Sequence, residues 1–260
     1  MDQINRLRAA LDELHPIIPS PFKAVLFKLY LRRPDLRNKA FKFQWAGQPF
    51  WGRGVDFYGS ISDVFLEDDY APILPVLEKL PENPAILDAG GNIGSFALYC
   101  LSHRPDATVH SIEPEETTFQ FLSRNAKSVP NWHPHQLALW EQDGTTEFHR
   151  DEDCSAGSRI GAAESNSYQV KTSRLQTFID EHMGGRVDFL KMDIEGVEDV
   201  VLSDSETLLE VIPYLIIETH PDVCDEARVI EILNRHYPML ENLKSNQDDY
   251  KILIASKGGR

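Results

Sequence analysis

Residues 85–113 read AILDAGGNIGSFALYCLSHRPDATVHSIE. Ala85 to Asp88 is a short apolar run of the kind that forms a buried strand. It runs into Gly90, Gly91, Asn92 and Gly94, after which Phe96, Ala97, Leu98, Cys100 and Leu101 recur at helical spacing. A second apolar run, Ala107 to Ile112, ends on Glu113. Strand, glycine turn, helix, strand and acid together make one βαβ unit. Glycines let a backbone adopt φ > 0 and pass close to a ligand. The helix start offers unpaired N–H groups. An acid about 20 residues on, at the tip of the second strand, can accept ribose hydroxyls.

The unit points to a nucleoside-bearing ligand, and the glycine spacing narrows which one. A dinucleotide fingerprint, G-x-G-x-x-G, started at Gly90, needs glycines where the chain has Asn92 and Ser95. The pattern present is Asp-x-Gly-x-Asn-x-Gly, with Asp88 at the strand tip. An acid there repels a pyrophosphate and suits a cationic group such as the amino group of S-adenosylmethionine. Taken alone, the glycines also fit a tight turn in any α/β protein.

Composition limits the alternatives. At 260 residues the chain can bury one sizeable core, with an extension. No run approaches the roughly 18 apolar residues of a membrane span, and MDQINRLRAALDEL has no apolar core of a secretory signal. Three scattered cysteines, Cys100, Cys154 and Cys224, fit neither a disulfide framework nor a metal clip, so the expected location is the cytoplasm. A net charge of −15 argues against nucleic acid as partner. The charge is uneven: residues 1–53 hold ten Lys/Arg and four Asp/Glu. This basic segment is expected to dock on the acidic body, or to meet an anionic surface or substrate.

In chain order, residues 2–14 read as an amphipathic helix with Ile4, Leu7, Leu11 and Leu14 on one face. Phe22 to Arg33 reads as a second, basic helix striped with Phe22, Val25, Leu26 and Leu29, a lid or homodimer element or a membrane-surface helix. Phe41–Trp45 and Phe50–Arg53 flank a hairpin turn, and 70–80 is a helix interrupted by Pro72 and Pro75. The aromatic group Trp45, Phe50, Trp51, Phe57 and Tyr58 is either the core of this extension or the wall of an acceptor pocket. Further strands are expected at 132–139, 145–149, 168–172, 187–193, 214–219 and 250–255, and helices at 115–127, 175–182, 198–210 and 223–235. Residues 151–167 read as a polar mobile loop. Strands alternating with helices predict an α/β fold with a mainly parallel sheet. The expected division is an extension over 1–80 and a ligand-binding domain over 81–260.

Ligands of such sheets bind at the carboxyl ends of the strands. The tips are Asp88, Glu113, Leu139, Asp193 and Glu218. Residues 191–198, KMDIEGVE, place Asp193 at the end of a buried strand with Glu195 and Glu198 close behind. Glu218, Thr219 and His220 end the next apolar run. Carboxylates and an imidazole at neighbouring tips suit a hard cation or a general base. Glu198 reads more simply as an acid favouring a helix N-terminus.

In order, DAGGNIGSFALYC, SIEPEETTFQFLSRNA, LALWEQDGTTEF, KTSRLQTFID, DFLKMDIEGVEDVVL and PYLIIETH resemble the FkbM family of S-adenosylmethionine-dependent methyltransferases. The resemblance covers about residues 60–240. The usual loop is close to D-V-G-A-N-x-G, and Ala89 and Gly91 depart from it conservatively. The family often has Leu-Asp where this chain has Leu175-Gln176. The resemblance implies a class I methyltransferase sandwich, a Rossmann-like seven-stranded sheet with its last strand antiparallel. It implies S-adenosylmethionine at Asp88, Gly90, Asn92 and Gly94, with ribose on Glu113 and Leu139 alongside, and O-methylation of a small-molecule acceptor, a sugar or natural product. Asp193 or His220 is then the expected base, or a divalent cation such as Mg²⁺ on Asp193 and Glu218 assists deprotonation. The competing expectations are a non-catalytic cofactor- or partner-binding relative and a nicotinamide-dependent oxidoreductase.

Overall fold

The computed structural model describes residues 11–67, 69–149, 159–160, 167–246 and 250–258. An amino-terminal layer begins with helical residues 11–14, the described end of the helix expected over 2–14; residues 1–10 of that helix lie outside the described residues. Helix α1 (Pro21–Leu31) follows, with the Ser20 side chain accepting from the Lys23 N–H. Strands β1 (Phe41–Trp45) and β2 (Gln48–Gly52) form an antiparallel hairpin. Its turn, Ala46-Gly47, takes positive φ at both residues, the twist that a two-residue hairpin needs. Short helices α2 (Ser62–Phe65) and α3 (Leu74–Lys79) lead to the main sheet.

The βαβ unit forms as expected: β3 (Ala85–Ala89), α4 (Ser95–His103) and β4 (Thr108–Ile112). After it come α5 (Glu116–Ala126), β5 (Trp132–His135), β6 (Ala138–Leu139), β7 (Gly144–His149), β8 (Arg159–Ile160) and β9 (Ser167–Ser173). Helix α6 (Leu175–Met183), β10 (Phe189–Met192), α7 (Glu198–Asp204), β11 (Tyr214–Thr219), α8 (Glu226–His236), β12 (Met239–Asn246) and β13 (Tyr250–Ser256) complete the chain.

The main sheet has seven strands in the order β12-β13-β11-β10-β3-β4-β5. Pairing is parallel from β5 through β11, and β13 runs antiparallel to both its neighbours. This is the class I methyltransferase sheet expected from the resemblance. All four residues of β10 are buried, Lys191 included, so the central strand shows no alternation between a buried and an exposed face. Adjacent residues of β3 serve opposite faces. Ile86 joins a core with the amino-terminal layer, α4 and α5, while Leu87 joins one with α6, α7 and α8.

The chain leaves β3 towards β4 and β5, then returns to the other side of β3 to form β10. That reversal is a topological switch point, where the carboxyl ends of β3 and β10 open a crevice.

Two expectations need correction, and one strand was not foreseen. The run 132–139 is two strands: β5 closes the main sheet, and β6 pairs with β9 in a separate four-stranded sheet ordered β6-β9-β7-β8. Gln136 and Leu137 separate the two, and Pro134 sits inside β5, an edge strand where a missing N–H is tolerated. The helix expected over 198–210 ends at Asp204, and 206–210 tighten into a 3₁₀ turn. Strand β12, whose sequence MLENLKSN has no apolar run, is recruited as an edge by pairing with β13 through a bulge at Asn242/Lys244. Most of the loop expected over 151–167 lies outside the described residues.

Within the aromatic group of the extension, Phe50 and Phe57 are core and Trp45 packs against it. Phe50 and Phe57 are buried, Phe43 stacks on Phe50 at 5.2 Å, and Trp45 stacks on Tyr99 of α4 at 6.1 Å. Trp51 carries Arg124 over its ring at 3.5 Å, and Tyr58 is exposed. One apolar cluster runs from Leu14 to Phe189 and Ile252, so the amino-terminal layer and the sheet share a core. Among the described residues, no helix is long and apolar enough to cross a membrane.

Candidate active site

A cleft of about 950 Å³, open to solvent, lies over the switch point. Its floor is the glycine loop after β3. The N–H groups of Gly90 and Gly91 both donate to the carbonyl of Ile112, pinning the loop to the tip of β4. Gly90 has φ +79°, and a Cβ there would stand 1.6 Å from the carbonyl oxygen of Asp193. Gly94 has φ +95°, and a Cβ there would stand 2.3 Å from the ring of Trp132. Gly90 therefore lets two strand tips cross, whereas Gly94 seats α4 against β5.

Gly90, Asn92, Glu113, Leu139, Asp193 and Glu218 all line the cleft. Glu113 is almost fully buried and bridges two loops: one carboxyl oxygen accepts the Asn92 N–H at 3.0 Å and the other the Glu115 N–H at 2.8 Å. Burial raises its pKa to about 8, against the lowering effect of those N–H donors. Leu139, from the second sheet, joins Ile112, Phe148 and Ile160 to form an apolar wall beside it.

Asp88 and Gly94 lie beneath the loop rather than in the wall. Asp88 is fully buried, accepts from the Ser111 hydroxyl at 2.8 Å, and has one oxygen that receives no hydrogen bond. Lys191 of β10 stands over that oxygen at 3.7 Å. The same ammonium donates to the Gly90 carbonyl at 2.7 Å and to Asp193 at 3.2 Å. Burial raises the Asp88 pKa, while Lys191 and Ser111 oppose the rise. Burial works against the charge on Lys191, yet Asp193 and Asp88 prevail and raise its pKa. Lys191 thus ties together the strand-tip acids of β3 and β10, a role its place in KMDIEGVE does not disclose.

The second constellation converges at the tips of β10 and β11. His220 Nε2 lies 3.4 Å from Glu195, 3.8 Å from Glu218 and 3.9 Å from Asp193. His220 Nδ1 lies 3.2 Å from Glu198. Glu198 does more than favour a helix dipole: it is fully buried and accepts the N–H groups of Ile194 and Gly196. Burial disfavours the His220 charge, but the carboxylates of Glu198, Glu195 and Asp193 outweigh it and lift the pKa to about 10. To act as the base expected from the sequence, or as a ligand to a cation, His220 must first release the proton that these carboxylates stabilise. Burial and Asp193 together raise Glu218 to about 8 and raise Glu195 as well. Glu195, Tyr70, Phe148 and Ile160 are cleft residues that the strand-tip rule passes over, because they come from loops and from the second sheet.

Residues 88–250 match the Methyltransferase FkbM domain. The hexuronic acid methyltransferase AglP of Haloferax volcanii is 27% identical over 201 residues, 77% of this chain and 81% of that protein. Methyltransferase 1 of Beauveria bassiana is 30% identical over 145 residues, 47% of this chain and 58% of that protein. The 2-O-methyltransferase NoeI of Sinorhizobium fredii is 29% identical over 154 residues, 52% of this chain and 63% of that protein. With that match laid over the glycine loop, the Lys191–Glu198 segment and the seven-stranded sheet, the chain belongs to the FkbM family of S-adenosylmethionine-dependent methyltransferases.

Proposed function

We propose that this protein methylates a hydroxyl of a small sugar or natural product, with the cofactor at the β3–β4 end of the cleft and the acceptor at the β10–β11 end. The observation that carries the reading is one continuous cleft with Asn92 and Glu113 at one end and Asp193 at the other. A nucleoside fits the first end: the Glu113 carboxyl can meet ribose hydroxyls, and Ile112, Leu139 and Phe148 can cover a flat ring. A hydroxyl acceptor on a sugar is favoured by the hexuronic acid of AglP and the 2-O position of NoeI.

S-adenosylmethionine supplies a methyl group already activated on a sulfonium. The chain's own work is alignment and removal of the acceptor's proton. Asp193 is the proton acceptor: its carboxylate faces the cleft and is oriented by Lys191 at 3.2 Å. Lys191, through Asp88 and the Gly90 carbonyl, keeps cofactor loop and base at a constant separation. Ile112, Leu139 and Phe148 exclude water from the cofactor end.

Titration of S-adenosylhomocysteine and NADH by calorimetry tests the cofactor. Binding of the first and not the second is expected; the reverse restores the oxidoreductase reading, and neither sinks the proposal. Asp193→Asn should retain S-adenosylhomocysteine binding and lose turnover. Full turnover in that variant would remove Asp193 from its role.

A homodimer through the amino-terminal helices is the second reading, favoured by the exposed stripe of α1: Phe22 is 78% and Leu29 52% accessible. Sedimentation of the protein and of Phe22→Asp decides it, since only a dimer using this face dissociates.

A further inference from the structure

Five carboxyl groups gather at the tips of β3, β10 and β11, and Lys191 serves only those of Asp88 and Asp193. The remainder surround one imidazole. Glu198 is immobilised by the N–H groups of Ile194 and Gly196, and it holds His220 by Nδ1 at 3.2 Å. The ring is thereby turned so that Nε2 points the other way, towards Glu195, Glu218 and Asp193. One donor atom from each of Asp193, Glu195 and His220 lies within 4.8 Å of the other two. Asp193, Glu195 and Glu218 line the open cleft, so an ion can enter from solvent.

The backbone pays for this placement. Glu195 sits at φ +59°, the left-handed region that disfavours a residue with a side chain. Gly196 follows at φ +98°, packed where a Cβ would stand 2.3 Å from Val223. That strained turn carries the Glu195 carboxylate to Nε2. Strain retained in a ligand cleft is a mark of function.

We propose that Asp193, Glu195 and His220 Nε2, with Glu218 beside them, bind one divalent first-row transition ion of the Mn²⁺ class. A buried carboxylate on the far nitrogen of a ligating histidine is the recurrent outer-shell device of metal sites, and Glu198 supplies it. An imidazole donor among carboxylates selects a transition ion over Mg²⁺, which keeps its water and prefers oxygen. This moves the cation expected on Asp193 and Glu218 one loop along the chain, changes its class, and makes Asp193 a ligand rather than a free base wherever the ion is bound. That the ion serves the acceptor end of the cleft rests on the methyl-transfer reading; that it binds does not.

The test uses the full chain stripped with a chelator. Mn²⁺ is titrated while the free-ion electron paramagnetic resonance signal is read, Mg²⁺ is titrated by calorimetry, and S-adenosylhomocysteine binding is measured on the same sample. One Mn²⁺ per chain is expected, at least tenfold tighter than Mg²⁺. Glu195→Gln and His220→Gln should each weaken Mn²⁺ at least tenfold while S-adenosylhomocysteine still binds, which reports an intact fold. Glu198→Gln should weaken it by roughly 10–100-fold, as outer-shell changes do. A protein that binds S-adenosylhomocysteine but no Mn²⁺ overturns the proposal and leaves the methyltransferase standing. Mn²⁺ binding without S-adenosylhomocysteine does the reverse. Mn²⁺ affinity unchanged in both Glu195→Gln and His220→Gln, or lost instead in Asp63→Asn of the second acidic group, Asp63, Glu67 and Asp69, also overturns it.

Discussion

The carbonyl oxygen of Asp193 occupies the space beside the Gly90 Cα, 1.6 Å from where a Cβ would lie. The loops after β3 and β10 are therefore in backbone contact at the switch point. Gly90→Ala must part these loops and hold alanine at φ +79°. The strain alone is worth about 1–3 kcal/mol. We expect a lower urea midpoint and at least a tenfold loss of S-adenosylhomocysteine affinity, read by denaturation and calorimetry. A variant of unchanged affinity would show that the crossing does not shape the cofactor end.

Lys191→Met leaves the Asp88 carboxylate buried without its cation. Removing one partner of a buried pair costs about 3–5 kcal/mol. The deficit should depend on pH. Without the amine, Asp88 is raised further above its ordinary 3.8, so above that pH the folded chain keeps a proton the unfolded chain has released. Stability of the variant then falls as pH rises. Urea unfolding of variant and parent should therefore converge towards acid pH and diverge towards neutrality.

Glu113, at about 8 against an ordinary 4.5, works in the same direction. Between those values the folded chain holds the extra proton, so its contribution is present below pH 4.5 and is lost as pH rises towards 8. Glu113→Gln should flatten the pH dependence of stability across that window. It also replaces one oxygen, the acceptor of either the Asn92 or the Glu115 N–H, with a donor. S-adenosylhomocysteine affinity should drop at least tenfold. Unchanged affinity would separate Glu113 from the ribose.

On the face of β4 and β5 that α6 covers, His110 Nδ1 and His135 Nε2 lie 3.0 Å apart, packed with His133, His182 and Phe178. Burial, then repulsion from neighbouring histidines, lowers His110 and His135 to about 4 from an ordinary 6.5. In that window the unfolded chain binds more protons, so stability is complete above pH 6.5 and is lost as pH falls towards 4. The double variant His110→Leu/His135→Leu should lose less stability than the parent between pH 6.5 and 4, measured by urea unfolding.

How much of this was legible in the chain follows from what each residue answers to. Strands β3, β11 and β13 carry apolar runs because burial selects each residue by itself, so they can be read one at a time, and β4 and β10 keep enough apolar residues around His110, Ser111 and Lys191 to be read the same way. Strand β12 has no such run and exists because β13 offers it hydrogen-bonding partners. The strand-tip rule finds Asp193, Glu218 and Glu113, since it needs only the end of each run. It also places Asp88 in the ligand site, as the glycine pattern places Gly94, whereas neither lines the cleft, because depth depends on Lys191 and Trp132 arriving from distant segments.

The sequence by itself determined the βαβ unit, the alternation of strands and helices, the acids at the strand tips and the family resemblance. These are local properties: periodicity, glycine spacing and residue type within a few turns of chain. Tertiary structure alone decided that β10 returns beside β3, that Gly90 meets the Asp193 carbonyl, and that His220 is ringed by carboxylates. Those contacts join residues about 25 to 100 positions apart. They arise from sheet order, in which strands are ranked by pairing and by the burial of both faces, and no local pattern in the chain encodes that ranking.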